Sequence, residues 1–128
     1  MSIQVTTQTL GPRFSELVLH ELDPRYSRVE VTIKANSGPL PVGLVLARGA
    51  DGVCEPLKEA DGSGAALVLP HSVPDAATPQ TALALRGYCV INPARLAFDD
   101  AVTDKPAALR ALEARGFVLR AIEEATHA

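Results

Sequence analysis

The chain has no tryptophan, and its 128 residues include only three Phe and two Tyr. Modules that grip sugars or stack nucleic-acid bases depend on exposed aromatic rings, and Phe14, Tyr26, Tyr88, Phe98 and Phe117 must also help to fill a core. Cysteine is scarce as well. Cys54 and Cys89 lie far apart, without the C-x-x-C spacing of a redox or zinc site, and both read as reduced structural residues. No apolar run approaches the roughly 20 residues of a membrane span, so a soluble chain is expected. Basic runs are missing too. The twelve Lys and Arg are scattered and the net charge is −3, which weighs against the counterion-releasing patch of a nucleic-acid binder. The start, Met1-Ser2-Ile3-Gln4-Val5-Thr6-Thr7, has neither the basic residues nor the long apolar centre of a secretory signal, which points to a cytoplasmic origin.

Groups arranged for catalysis or metal binding are equally hard to find. His20, His71 and His127 are far apart, and none has a second ligand or base at a spacing such as H-x-x-x-H or H-E-x-x-H. Ser63 in Gly62-Ser63-Gly64 lacks the strand, elbow and helix of a nucleophile turn and reads as a loop. Asp99-Asp100 reads as a solvated turn, because adjacent side chains in an extended stretch point apart, and Glu123-Glu124 as a solvated tail. The glycines match no phosphate-cradling pattern. The expectation is a protein that is not an enzyme and needs no metal or cofactor.

What the chain does contain is one domain's worth of alternating strand patterns punctuated by glycine and proline. With 47% hydrophobic and 21% charged residues, it has the composition of a globular domain with one core. Arg28 to Lys34 alternates cleanly, with Val29, Val31 and Ile33 on one face, and predicts a half-buried strand. After the turn at Asn36-Ser37-Gly38-Pro39, residues 40–47 are almost wholly apolar and predict a strand buried on both faces. Shorter strands are expected at 53–57 and 65–69, with a glycine-rich loop between them at 59–64. Residues 70–79, with Pro70, Pro74 and Pro79, predict an irregular connection. A long strand over 81–91 is expected to be interrupted near Gly87 by a bulge. Thr103 predicts a helix cap, followed by a helix with an apolar stripe of Ala108, Leu109, Ala111 and Leu112, a stop at Gly116 and a final strand over 117–121.

The first 27 residues differ. The first twelve have no charged side chain, and Ile3-Gln4-Val5-Thr6 alternates like a strand. Phe14, Leu17, Val18, Glu21 and Leu22 fall at helical spacing, while Leu17-Val18-Leu19 suits a short strand equally well, and Asp23-Pro24 ends either. The organisation expected is an N-terminal arm over 1–27, flexible on its own, a single β-rich domain over 28–122 and a loose tail over 123–128.

Taken in order, three segments resemble the lambda-type head decoration proteins of tailed bacteriophages. They are Ser27-Arg28-Val29-Glu30-Val31-Thr32-Ile33, then Gly43-Leu44-Val45-Leu46, and finally Ala107 to Leu119 with Gly116-Phe117-Val118. Asn92-Pro93-Ala94-Arg95-Leu96 also looks like the family's approach to its helix, whereas Glu16 to Asp23 departs from the pattern. The resemblance covers about residues 27–121 and rests on structural rather than chemical motifs. It implies an α+β, mostly β fold, a compact domain with one main C-terminal helix and an extended arm. It also implies a homotrimer at threefold sites of an expanded head, bound to the major capsid protein and cementing the shell against internal DNA pressure. The protein would then reside on the outer surface of the virion, after assembly in the host cytoplasm. Capsid contact would fall to Ile3, Val5, Thr6 and Leu10 along the arm, and to Ser27 and Arg28 where it meets the body. The second reading is a small β-barrel module binding a peptide or sugar, which would require exposed aromatics around a concave site.

Overall fold

A computed structural model describes residues 14–121. The elements in chain order are α1 (Phe14–Leu17), β1 (Val18–Glu21), α2 (Pro24–Ser27), β2 (Arg28–Ile33), β3 (Val45–Arg48), β4 (Val53–Pro56), β5 (Leu67–Val68), β6 (Gln80–Leu85), β7 (Cys89–Ile91), a 3₁₀ turn (Pro93–Arg95), α3 (Lys105–Ala114) and β8 (Phe117–Leu119). Five strands close a barrel in the order β2-β4-β3-β5-β6, and three form a side sheet in the order β1-β7-β8. This is the mostly β architecture with one main late helix that the strand patterning implied. The one parallel pairing inside the barrel joins β2 to β4, with Thr32 opposite Val53.

Two apolar clusters explain why β3, β5 and β6 are hydrophobic on both faces. Inside the barrel, Val31, Ile33, Leu46, Leu67 and Ala84 pack with Leu40, Leu44, Leu69 and Val73. Outside it, the neighbouring residues Val45, Val68 and Leu85 turn the other way and pack with Leu17, Ile91, Leu112 and Phe117. Successive strand residues therefore feed different cores, as the period of two requires. The double-sided burial expected for 40–47 is present at Val45 and Leu46, both fully buried. The regular strand is shorter, however. Leu40 makes a single bridge to Val73, and the chain turns through Gly43 before pairing begins. The 65–69 segment likewise keeps regular pairing only at Leu67–Val68.

The interruption expected near Gly87 is more than a bulge, because residues 81–91 supply two strands that belong to different sheets. Gly87 has φ +132 and Tyr88 φ +59, so the chain swings out of the barrel at this corner and enters the side sheet. A Cβ on Gly87 would lie 2.5 Å from the Arg115 carbonyl oxygen, which shows how closely the end of α3 presses on the corner. The helix start also differs from expectation by one residue. Asp104, not Thr103, is the N-cap and accepts from the Ala107 amide at 3.1 Å, while the Thr103 hydroxyl donates to the Ala60 carbonyl at 3.1 Å. Both are good capping residues, and the tertiary partner of Thr103 decides between them. The helix ends as expected, at Gly116 with φ +102.

Residues 14–27 are packed onto the body. The ambiguous pattern there resolves into both forms in succession, a helical turn and then strand β1, which pairs with β7 through Val18 opposite Ile91. Leu17 is wholly buried and Val18 nearly so. Asp23 caps α2 rather than only ending β1, accepting from the Arg25 amide at 3.0 Å.

Candidate functional site

Ser27 and Arg28, which the resemblance assigns to capsid contact, form a compact polar lock with Glu21 inside the chain itself. Ser27 is completely buried, and its hydroxyl donates to the Glu21 carboxylate. Arg28 grips the same carboxylate with both arms of its guanidinium, Nε to Oε2 at 2.9 Å and Nη2 to Oε1 at 2.6 Å. The pair ties the end of β1 to the start of β2, two segments separated by the α2 turn. Burial alone would raise the Glu21 carboxyl pKa. The hydrogen bond from Arg28, assisted by Ser27 and the positive charge of Arg28, outweighs it and holds the group below its ordinary value of 4.5.

Arg28 also covers the Phe14 ring, 5.2 Å from its centroid, and Phe14 stacks on His71 at 5.7 Å with the ring planes 16° apart. The first described residue is thus anchored against the proline-rich connection. Ile3, Val5, Thr6 and Leu10 lie outside the described residues, but the point where their segment joins the body is fixed by Phe14, His71, Arg28 and Glu21. The resemblance singles out Ser27 and Arg28 for the shell and not for this internal lock, and nothing local distinguishes Glu21 from its acidic neighbours Glu16 and Asp23.

The lock makes a pH prediction. Because the folded pKa of Glu21 is lowered, its contribution is fully present above the unfolded value of about 4.5 and disappears as pH falls through the lower folded value. Glu21→Gln should lower stability near neutrality by about 1–3 kcal/mol, less than a fully buried pair would cost, because the Arg28 side chain keeps 31% exposure. It should also flatten the acid side of the stability curve. Urea midpoints measured from about pH 3 to about pH 7 check both effects, and an unchanged acid slope would exclude Glu21 as the titrating group.

The side chains with catalytic or metal-binding chemistry are dispersed. His20 is exposed on β1, and His71 lies against Phe14. The Ser63 hydroxyl donates to the Asp61 carboxylate at 3.0 Å, and Asp99 closes its own turn by accepting from the Ala101 amide at 3.0 Å. Among the described residues, no three His, Cys, Asp or Glu side chains are grouped to hold a metal ion, and no helix is long and apolar enough to cross a membrane. Cys54 and Cys89 are both buried and unpaired with each other. The Cys89 thiol is pushed up to about 12, first by burial and then by the charge of Glu21.

A closed five-stranded barrel with a side sheet and a locked N-terminal strand defines a small β-barrel protein whose polar machinery works to fix its own architecture. The chain matches the family model of the bacteriophage lambda head decoration protein D over residues 7–117, and it belongs to that family. The match starts within the arm, upstream of the segments that carried the resemblance. No curated protein matches the chain. Members of the family are structural proteins of the phage head, which makes this chain a capsid decoration protein of the virion.

Proposed function

We propose that the protein sits as a homotrimer at threefold positions of the expanded head, bound to the major capsid protein, and holds the shell against the pressure of packaged DNA. The observation that carries this reading is the family match, which runs from within the arm to the first residue of β8. The physical logic is multiplicity. Identical weak contacts around a rotation axis close on themselves, and linking them raises effective affinity without one strong site. If only the expanded lattice offers the seats, binding stabilises that state by mass action, and no chemical step is needed.

In this reading the protein is made and folded in the host cytoplasm and docks when the head expands. The lock at Glu21 and Arg28 supports the arm's part in it, because a segment that is to meet a neighbouring protein benefits from a fixed origin. Ile3 and Val5 would fill pockets while the backbone of residues 3–10 adds a strand to an exposed sheet edge on the shell. The alternative, a barrel module for a peptide or sugar, is disfavoured by a barrel interior filled with side chains such as Ile33, Leu46 and Leu69.

Sedimenting the purified protein with expanded and with unexpanded heads tests the proposal. The expected result is co-sedimentation with expanded heads alone and a higher temperature of head rupture. Binding to neither form of its own phage's head, or equal binding to both, would contradict it.

A further inference from the structure

The structure also contains a cleft of about 740 Å³ lined by Tyr26, Arg48, Arg86, Tyr88 and Arg115, with Val29, Ala66 and Leu67 also in its wall. The five polar and aromatic residues come from four separate parts of the fold, namely the end of α2, the end of β3, the corner between β6 and β7, and the residue after α3, while β2 and the β5 segment supply the apolar wall. No carboxylate lines it, although the chain as a whole is acidic. None of the three arginines takes part in the ion pairs seen among the described residues.

Two of the arginines are held in place by single backbone contacts. Arg86 Nε donates to the Tyr26 carbonyl at 2.6 Å, and Arg115 Nε donates to the Ala65 carbonyl at 3.1 Å. A guanidinium has five N–H donors, so each keeps most of its hydrogen-bonding capacity for another acceptor. Arg48 is exposed at the cleft's edge. Such pre-positioned forks match carboxylates in pairs.

The second observation is backbone strain. Tyr88 adopts φ +59, a conformation that is unfavourable for a bulky L side chain, yet its side chain is not buried in exchange: the residue is 51% exposed. The conformation is pinned on both sides, by the Tyr88 amide donating to the Gly116 carbonyl at 3.0 Å and by the Leu22 amide donating to the Tyr88 carbonyl at 3.1 Å. Leu22 and Tyr26, nearby, are 71% and 57% exposed. An exposed aromatic held firmly beside arginines outside any ion pair suits a contact surface, since Tyr and Arg are the side chains that anchor protein interfaces.

We propose that this cleft docks an acidic peptide segment of the capsid shell, with Arg48, Arg86 and Arg115 taking its carboxylates and Tyr26 and Tyr88 covering its apolar side chains. The inference rests on the decoration reading for its partner. Charge distribution favours a short acidic peptide over nucleic acid. Setting aside these three arginines, the twelve Lys and Arg fall to nine against fifteen Asp and Glu, so a long polyanion leaving the cleft would meet repulsion.

The test uses the full chain and expanded heads of its phage, with binding measured by sedimentation at low and moderate salt. Arg48→Glu should weaken binding about tenfold or more, whereas Lys105→Glu, the same charge change at the far end of α3, should stay within about twofold of the parent. Tyr88→Asn should keep or raise the thermal midpoint, because asparagine tolerates positive φ, and still weaken binding by about fivefold or more. Equal binding by Arg48→Glu and Lys105→Glu, or parental binding by Tyr88→Asn, overturns the proposal. Parental protein that ignores heads altogether overturns the decoration reading as well, so the two failures are distinct. Light scattering supplies the remaining outcome: if Arg48→Glu splits an oligomer of the parent protein, the cleft joins copies of this chain and the proposal is wrong.

Discussion

Gly43→Ala should be strongly damaging, lowering stability by about 3–5 kcal/mol. Gly43 lies at φ +86, and a Cβ there would stand 2.3 Å from the Arg95 carbonyl oxygen. Neither side can retreat cheaply. The Gly43 amide donates to the Leu69 carbonyl at 2.7 Å, its own carbonyl accepts from the Ala97 amide at 2.9 Å, and Arg95 belongs to the 3₁₀ turn. Gly52→Ala provides the matched control. Its φ is +85, but a Cβ would meet nothing within 4 Å, so only the conformational cost of about 1–2 kcal/mol applies. In thermal unfolding followed by circular dichroism, the two variants should differ by roughly 10 °C, given about 2–8 °C per kcal/mol across domain sizes. Equal midpoints would show that the contact with Arg95 yields and that φ alone sets the penalty.

Deleting residues 2–11 should abolish binding to expanded heads while leaving the folded body intact. The cut spares Phe14 and with it the stack on His71 and the cover of Arg28. Two aliphatic anchors, Ile3 and Val5, contribute about 1.5–3 kcal/mol each when fully buried, and a trimer multiplies the loss across linked contacts. The measurement is sedimentation with heads beside a thermal melt of the protein alone. Full binding by the shortened chain would remove Ile3, Val5, Thr6 and Leu10 from the contact and leave the body to do the docking. A lowered midpoint would instead show that the deleted segment stabilises the body.

How much of this could be read in advance varied with whether the governing contact was local. The β2 alternation was legible because one of its faces lines the barrel, so Val31 and Ile33 carry the pattern. Val45 and Leu46 were legible as doubly buried, yet an all-apolar run carries no boundary, and the turn at Gly43 was hidden within it. Gly87 marked a break in 81–91, but the change of sheet there was hidden for a similar reason. A period of two continues through Gly87, and only the partners of each half, β2 for one and β1 with β8 for the other, show that they belong to different sheets. Closure through the parallel β2–β4 pair is likewise a long-range choice.

The candidate surfaces follow the same rule. Ser27 and Arg28 stood out because they sit in an ordered, family-like segment, whereas Glu21 fell in a stretch that read as an arm without a core. Its role appears only when β1 folds back beside β2. Arg48, Arg86 and Arg115 have no linear pattern at all, since each comes from a different element and they meet only in the folded chain.

The two buried sulfurs have a practical corollary. Cys54 and Cys89 are the chain's only cysteines, with 0% and 1% exposure, and neither meets solvent in the folded state. A cysteine introduced at an outward-facing position would therefore be the sole thiol open to maleimide reagents, and a coated particle could be conjugated at one chosen address per subunit without first rebuilding the interior.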